Sequence, residues 1–118
     1  MRLFVVSLVF FLGVSADAMA HAALVKSQPA QRALLTRAPV KIQLWFNERL
    51  EARYSTFSLL DSGGKLMDIG AVEVAGDDPK SLAATIKSLS PGRYTVKYRV
   101  LSTDGHVVEN QFYFTVKQ

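Results

Sequence analysis

No cysteine occurs in this sequence of 118 residues. Disulfides are therefore excluded, and so are the thiolate ligands that structural zinc and iron–sulfur sites favour. Small exported domains often depend on disulfides. A chain without them must hold together by packing, with Trp45, the phenylalanines and the four tyrosines as its bulkiest contributors. Long apolar runs are equally scarce. The one such stretch, Leu3 to Val14, has twelve residues, short of the roughly 20 that a membrane-spanning helix needs. Basic runs and basic–aromatic stripes are missing too. The net charge of +4 is spread along the chain, which fits a solvated surface and argues against a nucleic-acid partner. There is no internal repeat, low-complexity tract or linker.

What is present begins with the first twenty residues. Arg2 precedes the apolar run, and the segment behind it ends Ala18-Met19-Ala20. A positive charge, a short apolar stretch and an A-x-A site, in that order, describe a secretory signal cut after Ala20. A buried first strand or helix of the domain would not require that order. Residues 1–20 are thus expected to be removed and residues 21–118 to form the mature protein. Its 98 residues, with 13 basic and 9 acidic side chains, suffice for one domain with one modest core. With no second apolar stretch, the mature chain is expected to be soluble and not to insert into a membrane; separately, it is expected to be a monomer.

The mature part reads as strands and turns. Val40, Ile42, Leu44 and Phe46 alternate with Lys41, Gln43 and Trp45, the period of a half-buried strand. Tyr54 to Leu60 is a second β-rich run, closed by Asp61-Ser62-Gly63-Gly64. Leu66 to Val74 has strand propensity interrupted by Gly70, Gly76-Asp77-Asp78-Pro79 reads as a turn, and Leu82 to Ile86 as a short strand. Pro91-Gly92 leads into Tyr94, Val96, Tyr98 and Val100, and Phe112, Phe114 and Val116 share one face of a last strand. Ala30 to Leu35 is expected to form at most a helical turn. About seven short strands separated by turns predict an all-β, immunoglobulin-like antiparallel β-sandwich with Greek-key connections. Such sandwiches host many functions, so function must come from a site.

Histidine is rare as well. One of the two is His21, the expected first residue of the mature chain, and the other is His106 in the loop Thr103-Asp104-Gly105-His106. An N-terminal histidine can close a six-membered chelate through its α-amine and its ring Nδ1. The amine's pKa of roughly 7.7–8.0 lets a metal displace its proton readily. A second imidazole from His106 would supply a third nitrogen, and Asp104 a carboxylate, with Gly105 allowing the backbone to turn. Three nitrogens and a carboxylate in tetragonal array suit Cu(II), while Zn(II) would prefer a tetrahedral set. A simple turn carrying an exposed histidine fits these residues too.

Four segments add a resemblance. His21-Ala22-Ala23-Leu24-Val25-Lys26-Ser27-Gln28-Pro29-Ala30, Ala38-Pro39-Val40-Lys41-Ile42-Gln43-Leu44-Trp45-Phe46-Asn47-Glu48, Leu89-Ser90-Pro91-Gly92-Arg93-Tyr94-Thr95-Val96 and Ser102-Thr103-Asp104-Gly105-His106, the last followed by Phe112-Tyr113-Phe114-Thr115-Val116, occur in the order of the motifs of the CopC family. The mature chain resembles these periplasmic copper-binding proteins over nearly its whole length. The resemblance implies one Cu(II) per mature chain in a histidine brace: His21 gives amine and ring, His106 the second ring, Asp104 the carboxylate. Glu48 is implied as a supporting group near the amine and not a ligand, with a plain surface carboxylate as the alternative. Asn47 stands where serine is commoner, a change expected to be harmless. Some members carry a methionine-rich stretch for Cu(I); here only Met67 remains after removal of the signal, so a Cu(II)-only protein is expected, with Met67 as core filler. The implied role is non-enzymatic: copper homeostasis, resistance or delivery to a CopD-like membrane copper transporter. A copper-dependent monooxygenase-like enzyme and a metal-free interaction module are the competing readings.

Overall fold

A computed structural model describes residues 22–118. It contains eight strands: β1 (Leu24–Gln28), β2 (Leu34–Leu35), β3 (Lys41–Phe46), β4 (Thr56–Leu60), β5 (Glu73–Ala75), β6 (Asp78–Thr85), β7 (Gly92–Leu101) and β8 (Val107–Val116). They form two four-stranded sheets, ordered β1-β3-β6-β5 and β2-β8-β7-β4. Hairpins within one sheet join β5 to β6 and β7 to β8, while the other connections carry the chain between sheets. The described domain is an all-β sandwich.

Period-two alternation becomes the two inner faces. Ile42, Leu44 and Phe46 of β3, with Leu82 and Ala84 of β6, face Phe57, Leu59, Tyr94, Val96, Tyr98, Val100, Phe112, Phe114 and Val116 of the opposite sheet. Each fully buried aliphatic side chain among them contributes about 1.5–3 kcal/mol. The Phe46 and Tyr98 rings meet edge to face across the layers at 5.4 Å. The rings of Tyr94 and Phe114, opposite each other on β7 and β8, stack at 5.7 Å. The Tyr94 hydroxyl reaches back 2.6 Å to the Ser90 carbonyl, in the manner of the tyrosine corner that stitches many sandwiches.

Several local expectations are corrected. Ala30 to Leu35 does not end as a helical turn, because Leu34 and Leu35 pair in parallel with Thr115 and Val116 of β8; among the described residues the other strand pairings are antiparallel. Val40 precedes β3 and is 78% exposed. Leu66 to Val74 is not a continuous strand: isolated bridges join Leu66 to Leu60 and Ile69 to Ile86 before β5 begins. Gly70 permits this close approach, since a Cβ there would lie 2.5 Å from Thr85 Oγ1. Asp78 and Pro79 belong to β6 rather than to the turn. Trp45 lies on the outer face of β3, with Lys26 Nζ 4.7 Å from its ring centroid, and so stays out of the core. Tyr54 is also exposed, whereas Met67 packs against the core as expected.

Candidate metal centre

The β7–β8 hairpin is closed by Ser102 to His106. The Gly105 N–H donates to the Ser102 carbonyl at 2.9 Å, and the Ser102 N–H donates to the His106 carbonyl at 3.0 Å. Gly105 adopts φ +93°, the turn-then-glycine pattern that ends many tight hairpins with a bulge. This geometry folds the loop back on itself, so that Asp104 and His106 meet. Asp104 Oδ2 lies 3.3 Å from His106 Nδ1, an atom shielded from solvent although the imidazole as a whole is 44% exposed. The other carboxylate oxygen, Oδ1, accepts from the hydroxyl of Ser102, whose side chain is fully buried. That bond above all holds the Asp104 carboxyl below the usual carboxylate range; desolvation opposes it, and the neighbouring His106 adds to the lowering.

Residues 47–51, which carry the chain out of β3, hold this loop from one side. The Thr103 N–H donates to the Arg49 carbonyl at 3.0 Å, Leu50 bridges to Ser102, and the Glu51 N–H donates to the Leu101 carbonyl at 2.8 Å. On the other side the same connector holds the start of the described chain. The Ala23 N–H donates to Asn47 Oδ1 at 2.7 Å, and the Asn47 N–H donates to the Ala23 carbonyl at 3.1 Å. Ala22 is 1% exposed. Glu48, half-buried, sits in the connector between these two attachments.

An open cleft of about 590 Å³ runs between Ala22–Leu24 and Val107–Asn110, with Tyr98 also lining it. Burial raises the pKa of the Tyr98 phenol. The residues on the cleft's two sides directly follow His21 and His106 in sequence. His21 itself lies outside the described residues, as do residues 1–20 and the expected cleavage site. Of the expected ligands the structure thus brings together Asp104 and His106. Among the described residues no three His, Asp or Glu side chains form a metal-holding group.

Two participants went unread in the sequence. Ser102 anchors the Asp104 carboxylate; its spacing of two residues ahead of an aspartate is the only local signal. Asn47, expected to be an inconsequential replacement, takes part in the paired hydrogen bonds to Ala23.

With this geometry in place, comparison with known proteins is direct. The CopC domain family matches residues 24–117. Copper resistance protein C of Escherichia coli is 37% identical over 113 residues, covering 90% of this chain and 89% of that protein. The crystal structure of CopC from Methylosinus trichosporium OB3b superposes with a TM-score of 0.77 at 39% identity, covering 82% of this chain and 94% of that one. PcoC, described as a methionine-rich copper resistance protein from Escherichia coli, superposes with a TM-score of 0.70 at 36% identity, covering 83% of this chain and all of its own. A domain match over almost the entire described sandwich, joined to identities above 30% across most of both chains, leaves one assignment: the chain belongs to the CopC family of copper resistance proteins.

Proposed function

We propose that the mature protein binds one Cu(II) between the two sheets of its sandwich and serves as a copper carrier or buffer in the periplasm. The observation that carries this reading is the shared cleft: the residues that follow His21 and His106 line its opposite sides. The donor set suits the ion. His106 and Asp104 lie together at the end of the hairpin, Nδ1 3.3 Å from Oδ2, and so offer a ring nitrogen and a carboxylate oxygen at one place. His21, freed at its amine by removal of residues 1–20, adds two nitrogens. Asp104 completes the set through carboxylate oxygen, and nitrogen with carboxylate oxygen favours Cu(II) over Cu(I). Glu48, in the connector that both halves share, supports the amine without binding the ion.

The same donor set favours carriage over catalysis. An anionic oxygen ligand resists reduction of the copper, and a domain of 98 residues has little room for an extended polymer-binding platform. Delivery to a CopD-like membrane copper transporter follows from this role. No described helix is long and apolar enough to cross a membrane. The test is titration of the protein beginning at His21 against the same protein with one extra residue ahead of it. The expected result is one tightly held Cu(II) with a nitrogen-rich tetragonal electron paramagnetic resonance spectrum, and loss of most of that affinity in the extended form. Equal affinity in the two forms would overturn the brace. Multiple-turnover oxidation of an added substrate in the presence of a reductant would favour an enzyme instead.

A further inference from the structure

The connector at residues 47–51 is where the two halves of the site are set relative to each other. His106 belongs to a loop that hangs from the connector through Thr103 to Arg49 and Leu50 to Ser102. Among the described residues the N-terminal segment hangs from it through Asn47, which both donates to and accepts from the backbone of Ala23. These two bonds continue the β1–β3 pairing beyond Leu24 and Phe46, the last paired residues of those strands. They are needed because the ladder is weakened at this point: its register shifts between Leu24 and Lys26, which places Val25 in an exposed position. An N-terminal strand on the sheet edge, next to a bulge, would otherwise fray.

We infer that Asn47 is a positioning residue for the proposed copper site, fixing the backbone of Ala23, two residues beyond His21, to the connector that also holds the His106 loop. This rests on the brace reading above and adds a residue to it. Serine in this position is one atom shorter; asparagine places a carbonyl oxygen 2.7 Å from the Ala23 N–H. Metal sites tolerate little looseness, and groups that orient ligands typically change metal affinity by about 10–100-fold when removed.

The experiment compares the protein beginning at His21 with its Asn47→Ala and Asn47→Asp variants. Asn47→Asp keeps the accepting oxygen and the backbone bond; Asn47→Ala keeps only the backbone bond. Hydrogen exchange at the Ala23 amide, measured without metal, reads the clamp itself: protection falls in Asn47→Ala and persists in Asn47→Asp. Cu(II) titration then reads its consequence, an affinity about tenfold weaker in Asn47→Ala, with a broadened or altered copper hyperfine pattern, and recovery of the wild-type spectrum in Asn47→Asp. Unchanged affinity and spectrum in Asn47→Ala, while the wild type binds Cu(II) tightly and the one-residue extension abolishes that binding, would overturn the positioning role and leave the brace standing. Failure of the wild type to bind overturns the brace, and this inference with it.

Discussion

Gly105 offers the sharpest test of how the hairpin builds its half of the proposed metal site. Its φ of +93° lies in the left-handed half of backbone space, yet a Cβ added there would meet no atom within 4 Å. The cost of Gly105→Ala is therefore one of backbone conformation, free of any clash. An L-residue held left-handed costs about 1–2 kcal/mol, and reduced freedom of the unfolded chain returns only part of that. A net loss near 1 kcal/mol corresponds to a fall of about 4–8 °C in Tm for a domain of this size. Asparagine enters this region far more readily, so Gly105→Asn should recover more than half of the loss. Thermal melts of the metal-free mature protein, followed by circular dichroism, read both values. Cu(II) titration should show a larger relative defect in the alanine variant, because a turn that relaxes toward negative φ carries His106 away from Asp104. An alanine variant that melts with the wild type, or an asparagine variant as unstable as alanine, would refute the reasoning.

Other outcomes follow from the same coordinates. Phe114 is fully buried and stacked on Tyr94, so Phe114→Ala should cost about 3–5 kcal/mol in urea unfolding, whether or not copper is bound. The Asp104 carboxyl is held below its usual range, mainly by the Ser102 hydroxyl. Its contribution to stability is thus complete above the unfolded carboxylate value of about 3.9 and is lost only as pH falls through the lower folded value. Ser102→Ala should move the Asp104 titration, followed by nuclear magnetic resonance, upward toward the ordinary value. Nitrogen ligands must give up their protons to bind a metal, so Cu(II) affinity should fall as pH is lowered; a titration that gives the same affinity at every pH would contradict the proposed ligand set. Met67 packs against the core, so Met67→Leu should leave Cu(II) affinity unchanged and remove no Cu(I) site.

Which parts of this structure could be read locally is a matter of range. The inner faces of β3, β7 and β8 are legible because side chains alternate with a period fixed by the backbone: Ile42, Leu44 and Phe46, then Tyr94, Val96, Tyr98 and Val100, then Phe112, Phe114 and Val116 all fall inside. The loop at Asp104-Gly105-His106 is legible for a related reason, since an aspartate followed by glycine carries its own turn chemistry. Tyr94 and Trp45 mark the limit. Both are large aromatics in alternating runs, but Trp45 occupies the odd register of β3 and lies on the outer face beneath Lys26.

Sequence by itself determined the sandwich class, most of the aromatic core and membership in a recognisable family, all of which rest on residue type and spacing. Tertiary structure alone decided that Leu34 and Leu35 join β8 in parallel, that Ser102 holds Asp104, and that Asn47 clasps Ala23 while Arg49 holds Thr103. These are contacts between segments far apart in the chain or between backbone groups that every residue carries. No local pattern encodes them: a backbone N–H or carbonyl finds its partner only after the two sheets have closed on their common core.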